Sequence, residues 1–270
     1  MSLLLHISDT HFGTELPPVV AALQALVRER RPDVLVYSGD ITQRARASQF
    51  AAARRMCDSF GIPLMLALPG NHDVPLYNVA ARLVMPYHGY HKHFGSDMNP
   101  TLDTDDFLVV GVNTTRASRH KDGEVSDEQI AESAARLERA RPLQLRIVVT
   151  HQPAVVVREE DEVDRLHNAD AALQAWSRAG ADLVLGGHIH LPYVADLMQV
   201  KRPTPRPMWC VQAGTAVSSR IRHNTHNSVN LIHWQGAAVG EARSCKVERC
   251  DYRPSQGSFA TETMNELALG

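Results

Sequence analysis

Residues 3–11 read LLLHISDTH, an apolar run that passes directly into Asp9 and His11. Four further apolar runs end in the same way, at Asp40, at Asn71-His72-Asp73, at His151 and at His188-Ile189-His190. Short apolar runs bounded by Gly, Pro, Asn or Asp are typical of strands that are buried on both faces of a sheet. The sequence therefore predicts an α/β fold in which several strands end in polar residues.

The residues that follow these runs are of the types that bind metal ions. In α/β sheets, ligand sites lie beyond the carboxyl ends of the strands, where loops converge on one point. An Asp-x-His pair or a single histidine is common by chance and carries little weight alone. Five blocks of Asp, Asn and His, each at the end of a predicted strand, together predict a metal site.

Amphipathic segments alternate with the strands. Helical spacing of apolar residues predicts helices over residues 19–30, 47–60, 126–139 and 168–179. The β-α-β-α order up to residue 73 predicts right-handed crossovers and a mainly parallel sheet. After His190 the pattern changes to strands without helices, near residues 193–199, 207–212, 229–233 and 246–252. This change predicts a second, more antiparallel sheet.

Composition limits the function classes. The 270 residues include 28 Lys and Arg and 30 Asp and Glu, and the net charge of −2 argues against a general nucleic-acid binder. No apolar run approaches the roughly 20 residues that cross a bilayer, and the amino terminus lacks a basic start and a cleavage site. The four cysteines show no C-x-x-C spacing. A cytoplasmic location is therefore predicted.

In their order the five blocks resemble the signature of the calcineurin-like metallophosphoesterase superfamily, which is D-x-H, G-D, G-N-H-D/E, H and G-H-x-H. All five blocks are intact here. The resemblance implies a four-layer α/β/β/α sandwich, which we expect to occupy residues 1–253. Residues 254–270 are rich in Ser, Gly, Thr and Asn and are expected to form a poorly ordered tail.

The resemblance also implies roles for individual residues. It assigns Asp9, His11 and His190 to one metal ion, Asn71, His151 and His188 to a second, and Asp40 to a bridge between the two. His72 corresponds to a residue that is not a ligand and acts as general acid or as a charge-stabilising donor. Nitrogen and oxygen ligands without a thiolate suit two divalent or mixed-valence ions, with Mn, Fe and Zn as candidates. A hydroxide between the two ions is then the expected nucleophile on phosphorus.

Two segments are candidates for substrate contacts. Residues 74–105, with an unusual run of Tyr and His at 87–94, could form a small cap over the site or could pack as an ordinary long loop. Arg220 and Arg222 lie two residues apart, so in an extended segment they share a side and could bind phosphate oxygens. A solvated basic loop is the alternative for this pair.

The stretches 110–137 and 213–216 are similar to class III cyclic-nucleotide phosphodiesterases and related glycerophosphodiesterases. The residues around the fourth block depart from that branch, which often has His-His-Pro-Pro where this chain has His151-Gln152-Pro153-Ala154. The expected function is metal-dependent hydrolysis of a small phosphodiester, with a 3',5'-cyclic nucleotide such as cyclic AMP as the first choice. The alternatives are a phosphomonoesterase, an exonuclease and a non-catalytic protein-binding scaffold. Separately, the carboxy-terminal sheet edge offers a surface for a homodimer.

Overall fold

A computed structural model of the chain describes residues 2–76, 79–201, 203–222, 224–236 and 242–270, and of residues 79–81 it describes the backbone alone. The helices are α1 (Pro17–Arg30), α2 (Ala47–Phe60), α3 (Val79–Val84), α4 (His88–Phe94), α5 (Asp127–Leu137) and α6 (Ala169–Arg178). The strands are β1 (Ser2–Ile7), β2 (Val34–Tyr37), β3 (Leu64–Ala67), β4 (Thr101–Asp103), β5 (Phe107–Gly111), β6 (Leu145–Val149), β7 (Leu183–Gly186), β8 (Tyr193–Asp196), β9 (Trp209–Gln212), β10 (Ser228–Trp234), β11 (Ser244–Arg253) and β12 (Ser258–Ala268). Short 3₁₀ turns cover Asn71–Asp73 and Glu159–Asp164.

The strands form two sheets of six. The first has the order β12-β11-β10-β1-β2-β3, in which β1, β2 and β3 are parallel and the other pairs are antiparallel. The second has the order β4-β5-β6-β7-β9-β8, with four parallel strands between two antiparallel edge strands. Each sheet is therefore mixed, so the predicted division into a parallel and a more antiparallel sheet is wrong.

Three apolar layers join four layers of secondary structure. The two sheets pack face to face through buried side chains such as Leu4 and Ile232 of the first sheet and Ile147 of the second. Helices α1, α2 and α4 cover the outer face of the first sheet, while α5 and α6 cover the outer face of the second. This is the predicted α/β/β/α sandwich, and the four predicted helices are confirmed as α1, α2, α5 and α6.

The prediction of a poorly ordered tail is wrong, because most of it forms β12. This strand pairs with β11 over ten register positions and forms one edge of the first sheet. Only two of its side chains are buried, those of Phe259 and Leu267, and the polar residues between them face solvent. A strand with so few apolar residues carries little signal in the sequence. A homodimer through this edge stays a prediction.

We expect Leu267→Ala to lower the free energy of unfolding by about 2–5 kcal/mol, the usual cost of removing a buried leucine side chain. Leu267 is 1% exposed and belongs to the layer between the sheets. Met264 of the same strand is 53% exposed, so Met264→Ala should change the stability by less than about 0.5 kcal/mol. Urea unfolding of both variants tests this. Equal, small losses would mean that β12 does not pack in solution.

The segment predicted as a cap or an ordinary loop lies partly in the core and partly beside the candidate site. Tyr90 on α4 is buried and donates a hydrogen bond to the carbonyl of Ala67, and Phe94 packs edge-to-face on Tyr37. These two side chains therefore pack in the core, and a cap over the site stays a prediction. Leu76 and Arg82 lie beside His72 and so border the candidate site described below.

Within the described ranges, none of the helices is long and apolar enough to cross a membrane. The cytoplasmic location stays a prediction.

Candidate metal centre

The candidate metal ligands lie where strands from both sheets end. Asp9 and His11 follow β1, Asp40 follows β2, and Asn71 follows β3. His151 follows β6 of the second sheet, and His188 and His190 follow β7. The five predicted blocks therefore converge at one end of the sandwich, with both sheets contributing.

At the candidate ligands the backbone adopts a left-handed conformation, with positive φ, that residues other than glycine normally avoid. Among the described residues, nine that are not glycine have a positive φ, and five of them belong to the candidate site. These five are Asp9 (52°), His11 (41°), Asp40 (47°), His188 (75°) and His190 (56°). Such positions cost on the order of 1–3 kcal/mol each and cluster at functional sites. The fold holds these side chains in place at the expense of backbone strain.

Two glycines let the ligand-bearing loops approach each other. A Cβ atom on Gly70 would collide with the backbone and carboxylate of Asp40, and one on Gly187 would collide with Ser8 and Asp9. Any larger residue at either position would push the loops apart. This steric need explains why glycine precedes Asn71 and His188.

The first cluster contains Asp9, His11, Asp40 and His190. Nε2 of His11 and Nε2 of His190 are 3.0 Å apart. The distance from His190 Nε2 to Asp9 Oδ1 is 3.2 Å, and that from His11 Nε2 to Asp40 Oδ2 is 3.6 Å. Burial lowers the pKa of His11 to about 3, against the opposing charges of Asp40 and Asp9. His11 is therefore a neutral imidazole, the form that binds metal.

The second cluster contains Asp40, His151 and His188, with Asn71 beside them. Nε2 of His151 lies 3.3 Å from Asp40 Oδ1 and 3.3 Å from Asn71 Oδ1. Nδ1 of His151 lies 2.8 Å from the carbonyl of Ser38 and donates to it, which turns Nε2 toward the cluster. Burial alone would lower the pKa of His151, but Asp40 and the Ser38 carbonyl outweigh it and raise the pKa to about 9.

The two clusters share Asp40, whose two oxygens face different histidines. Burial by itself raises the pKa of this carboxyl, but the charge of His151 and other nearby histidines keeps it well below its usual range. Asp40 is therefore ionised, and it can contact two cations at once.

The donor atoms present fit two metal ions. Several buried polar atoms of the clusters lack a hydrogen-bond partner. Oδ1 of Asp9 and both ring nitrogens of His188 are buried without a hydrogen-bond partner. Unpaired buried polar atoms are costly unless a cation or water satisfies them. The clusters consist of oxygen and nitrogen donors alone, which suits Mn, Fe or Zn.

Asp73 fixes the loops that carry these ligands. Its carboxylate accepts hydrogen bonds from the backbone N–H groups of Gly70, Ile41 and Thr42 at 2.8–3.0 Å, and from the Thr42 hydroxyl. Burial and the nearby charge of Asp40 raise the pKa of Asp73 to about 7, against the lowering effect of these bonds. Asp73 thus fixes the positions of the loops that carry Asp40 and Asn71.

His72 lies at the edge of the clusters and contacts Arg220. Its backbone N–H donates to Asp40 Oδ1 at 2.8 Å, and its Nδ1 donates to the carbonyl of Gln43 at 3.1 Å. Arg220 Nη1 lies 3.1 Å from His72 Nε2 and 3.1 Å from Gln43 Oε1. A guanidinium only donates, so Nε2 of His72 is the acceptor in this arrangement.

Arg222 has different partners. It forms a two-pronged ion pair with Asp161, with N–O distances of 2.7 and 2.9 Å, and contacts Glu160 at 2.5 Å. Asp161 is buried. Arg220 therefore lies at the candidate metal centre, whereas Arg222 stabilises the 3₁₀ turn at Glu159–Asp164.

Two contacts near the centre have no signal in the sequence. Asp164 Oδ1 lies 3.7 Å from His188 Nε2 and is paired with Lys121. Gln152 stands where class III cyclic-nucleotide phosphodiesterases often have a histidine. It is buried, accepts a hydrogen bond from the Thr114 hydroxyl and donates one to the carbonyl of Lys121. Gln152 therefore supports a neighbouring loop. Both contacts depend on long-range folding and not on spacing in the chain.

Solved structures show the same fold. The chain superposes on a purple acid phosphatase from yellow lupin (Lupinus luteus) with a TM-score of 0.67 and 12% identity, covering 99% of this chain and 53% of that one. It superposes on a dimetal phosphatase from Danio rerio with a TM-score of 0.66 and 12% identity, over 100% and 99% of the two chains. At such low identity the likeness establishes the fold alone.

Curated sequences include two similar proteins. A glycerophosphodiester phosphodiesterase, GpdQ of Enterobacter lignolyticus (strain SCF1), is 30% identical over 168 residues, which are 56% of this chain and 57% of that protein. A probable cyclic nucleotide phosphodiesterase of Synechococcus sp. is 24% identical over 187 residues, 67% of each chain. This chain thus spans little more than half the length of the first relative.

The sequence profile described as calcineurin-like phosphoesterase matches residues 3–192, a range that contains every candidate metal ligand. This range is more than half of the chain. The protein therefore belongs to the calcineurin-like phosphoesterase family.

Proposed function

We propose that this protein hydrolyses small phosphodiesters, with a 3',5'-cyclic nucleotide such as cyclic AMP as the first substrate to test. The observation that carries the proposal is the pair of ligand clusters that share Asp40. Support for a diester comes from the similarity to GpdQ and to a probable cyclic nucleotide phosphodiesterase. The proposed partner is a small molecule, in keeping with the near-neutral net charge.

The proposed ligand sets follow the geometry of the clusters. Asp9, His11 and His190 would hold one ion, Asn71, His151 and His188 the other, and Asp40 would contact both. When bound, two such ions neutralise phosphate oxygens and lower the pKa of a water molecule enough for it to attack phosphorus. Mn, Fe and Zn are the candidate metals, because the donors are oxygen and nitrogen.

Arg220 and His72 would act together on the phosphate. In the free protein Arg220 donates to Nε2 of His72, so this nitrogen cannot carry a proton at the same time. A phosphate oxygen carries negative charge and is a stronger acceptor than a neutral imidazole. Binding of the substrate would draw Arg220 to the phosphate and leave Nε2 of His72 free to take up a proton and pass it to the departing alcohol oxygen. Arg222 has no part in this proposal, because its guanidinium pairs with Asp161 and Glu160.

Exchanging either arginine for methionine should separate their roles. Arg220→Met should lower kcat/KM by about 10–100-fold, since a hydrogen bond to a charged group is worth about 1.5–3 kcal/mol. Arg222→Met should leave kcat/KM within about threefold and lower stability, because it strands the buried carboxylate of Asp161. Steady-state kinetics and urea unfolding on both variants test this. The reverse pattern would reassign the phosphate contact to Arg222.

The experiment that tests the proposed function compares three substrates on one preparation. Metal-stripped enzyme and enzyme reloaded with Mn, Fe or Zn are assayed with bis(p-nitrophenyl) phosphate, p-nitrophenyl phosphate and cyclic AMP. Metal-dependent preference for diesters supports the proposal, and turnover of cyclic AMP narrows it to a cyclic nucleotide. Preference for the monoester would make the protein a phosphatase. Inactivity with Mn, Fe and Zn would favour a binding scaffold.

A further inference from the structure

A small cavity adjoins the candidate centre on the side of His72. Its volume is 70 Å³, and Asn71 and His72 form part of its wall. A water molecule needs only about 10–15 Å³ of such space, so the cavity is large enough for a carboxylate or a phosphate group. A substrate group that lies beside His72 can therefore extend into it.

The lining of this cavity is basic. It combines Arg44, Arg82 and His120 with Gln43 and the apolar side chains of Val74 and Leu76, and the part of the lining that the structure describes includes no acidic residue. Among the described residues of the wall, Asn71 is a proposed metal ligand and the others are not. Arginine side chains that converge on a small space are suited to a carboxylate or phosphate.

Arg82 is held in position by backbone carbonyl groups. Its Nε donates to Ala117 at 2.7 Å, and its two Nη atoms donate to Pro75 at 3.1 Å and to Arg119 at 2.6 Å. Carbonyl oxygens orient a guanidinium but do not neutralise its charge as a carboxylate would. Arg82 is therefore a fixed positive charge at the wall of the cavity.

We propose that this cavity binds an anionic group, a carboxylate or a phosphate, carried by the alcohol that leaves during hydrolysis of a linear phosphodiester. The proposal rests on the proposed diester hydrolysis. His72, which would protonate the leaving alcohol, forms part of the cavity wall, so this alcohol enters the cavity and the other ester group does not. The subsite would select substrates by the charge of their leaving group.

The test uses pairs of substrates that differ in one charge. Methyl phosphodiesters of ω-hydroxy acids with two to four methylene groups are compared with the carboxamides of the same length, and release of methyl phosphate is followed. The enzyme should prefer the best-fitting carboxylate over its carboxamide by about tenfold or more in kcat/KM, as expected for one charge-assisted hydrogen bond. Arg44→Gln and Arg82→Gln should each reduce this ratio toward one.

Two controls separate the subsite from the rest of the proposal. Arg28→Gln, on the exposed face of α1, should keep the ratio of the unaltered enzyme. Turnover of bis(p-nitrophenyl) phosphate shows that each variant is folded and active. A ratio near one in the unaltered enzyme, with bis(p-nitrophenyl) phosphate still hydrolysed, would overturn the subsite alone. The subsite would also be overturned if Arg44→Gln and Arg82→Gln both kept a high preference for the carboxylate. If the unaltered enzyme hydrolysed none of the diesters, the proposed function would be overturned together with the subsite.

Discussion

Asp40→Asn should reduce kcat/KM on bis(p-nitrophenyl) phosphate by a factor of about 1,000 or more. Asparagine keeps the shape of the side chain but removes its charge and replaces one acceptor oxygen with a donor. The two oxygens of Asp40 face His11 and His151 in different clusters, so one substitution weakens both proposed metal sites. The 1,000-fold factor corresponds to a loss of about 4 kcal/mol in stabilisation of the transition state, since each 1.36 kcal/mol changes the rate tenfold.

Metal binding gives a second measurement of the same change. Saturating Mn should raise the Tm of the unaltered protein by about 5–10 °C, because a ligand at 100 times its Kd adds about 2.7 kcal/mol of stability. The Tm of Asp40→Asn should move much less, and elemental analysis after desalting should find fewer than two ions per chain. Two bound ions and full activity in this variant would refute the assignment of Asp40.

Asp182 offers a matched control for Asp40. It is equally buried and forms a two-pronged ion pair with Arg243 at 2.8 Å. However, it precedes β7, at the end of the strand opposite to His188. Asp182→Asn should therefore lower stability without changing the metal content or the kcat/KM of the folded protein. A loss of metal in both variants would indicate general unfolding.

The sequence could predict which residues meet at the candidate metal centre because each of them is tied to a local pattern. The blocks at Asp9, Asp40, Asn71, His151 and His188 each follow a short apolar run, and strand ends can be recognised from such runs. Within each sheet the ligand-bearing strands are parallel neighbours, so their ends lie together. The meeting of the two groups of strand ends depends in addition on the face-to-face packing of the sheets.

Features that depend on long-range pairing were not predictable in this way. β12 is an edge strand in which only Phe259 and Leu267 are buried. Its sequence is therefore typical of a polar tail, and only its pairing with β11 identifies it as a strand. The contact of Asp164 with His188 and the different partners of Arg220 and Arg222 arise from loops that meet only in the folded chain. No spacing rule in the sequence distinguishes these two arginines.

His72→Ala should slow the hydrolysis of alkyl diesters by about 100–10,000-fold, the usual range for loss of a general acid. The rate on bis(p-nitrophenyl) phosphate should fall by less than about tenfold, because p-nitrophenolate is stable enough to leave without a proton. Cyclic AMP is a suitable alkyl diester, since its leaving group is a sugar alcohol. The measurement is kcat/KM for both substrates with the unaltered enzyme and the variant.

The difference between the two substrates identifies the role of His72. If His72 only braced its loop through the Gln43 carbonyl, both rates would fall by a similar factor, and the acid role would be excluded. If it transfers a proton, free imidazole should restore part of the alkyl rate in His72→Ala and have little effect on the aryl rate. Arg220→Met should not reproduce this selectivity, because Arg220 would contact the phosphate, whose charge both substrates share.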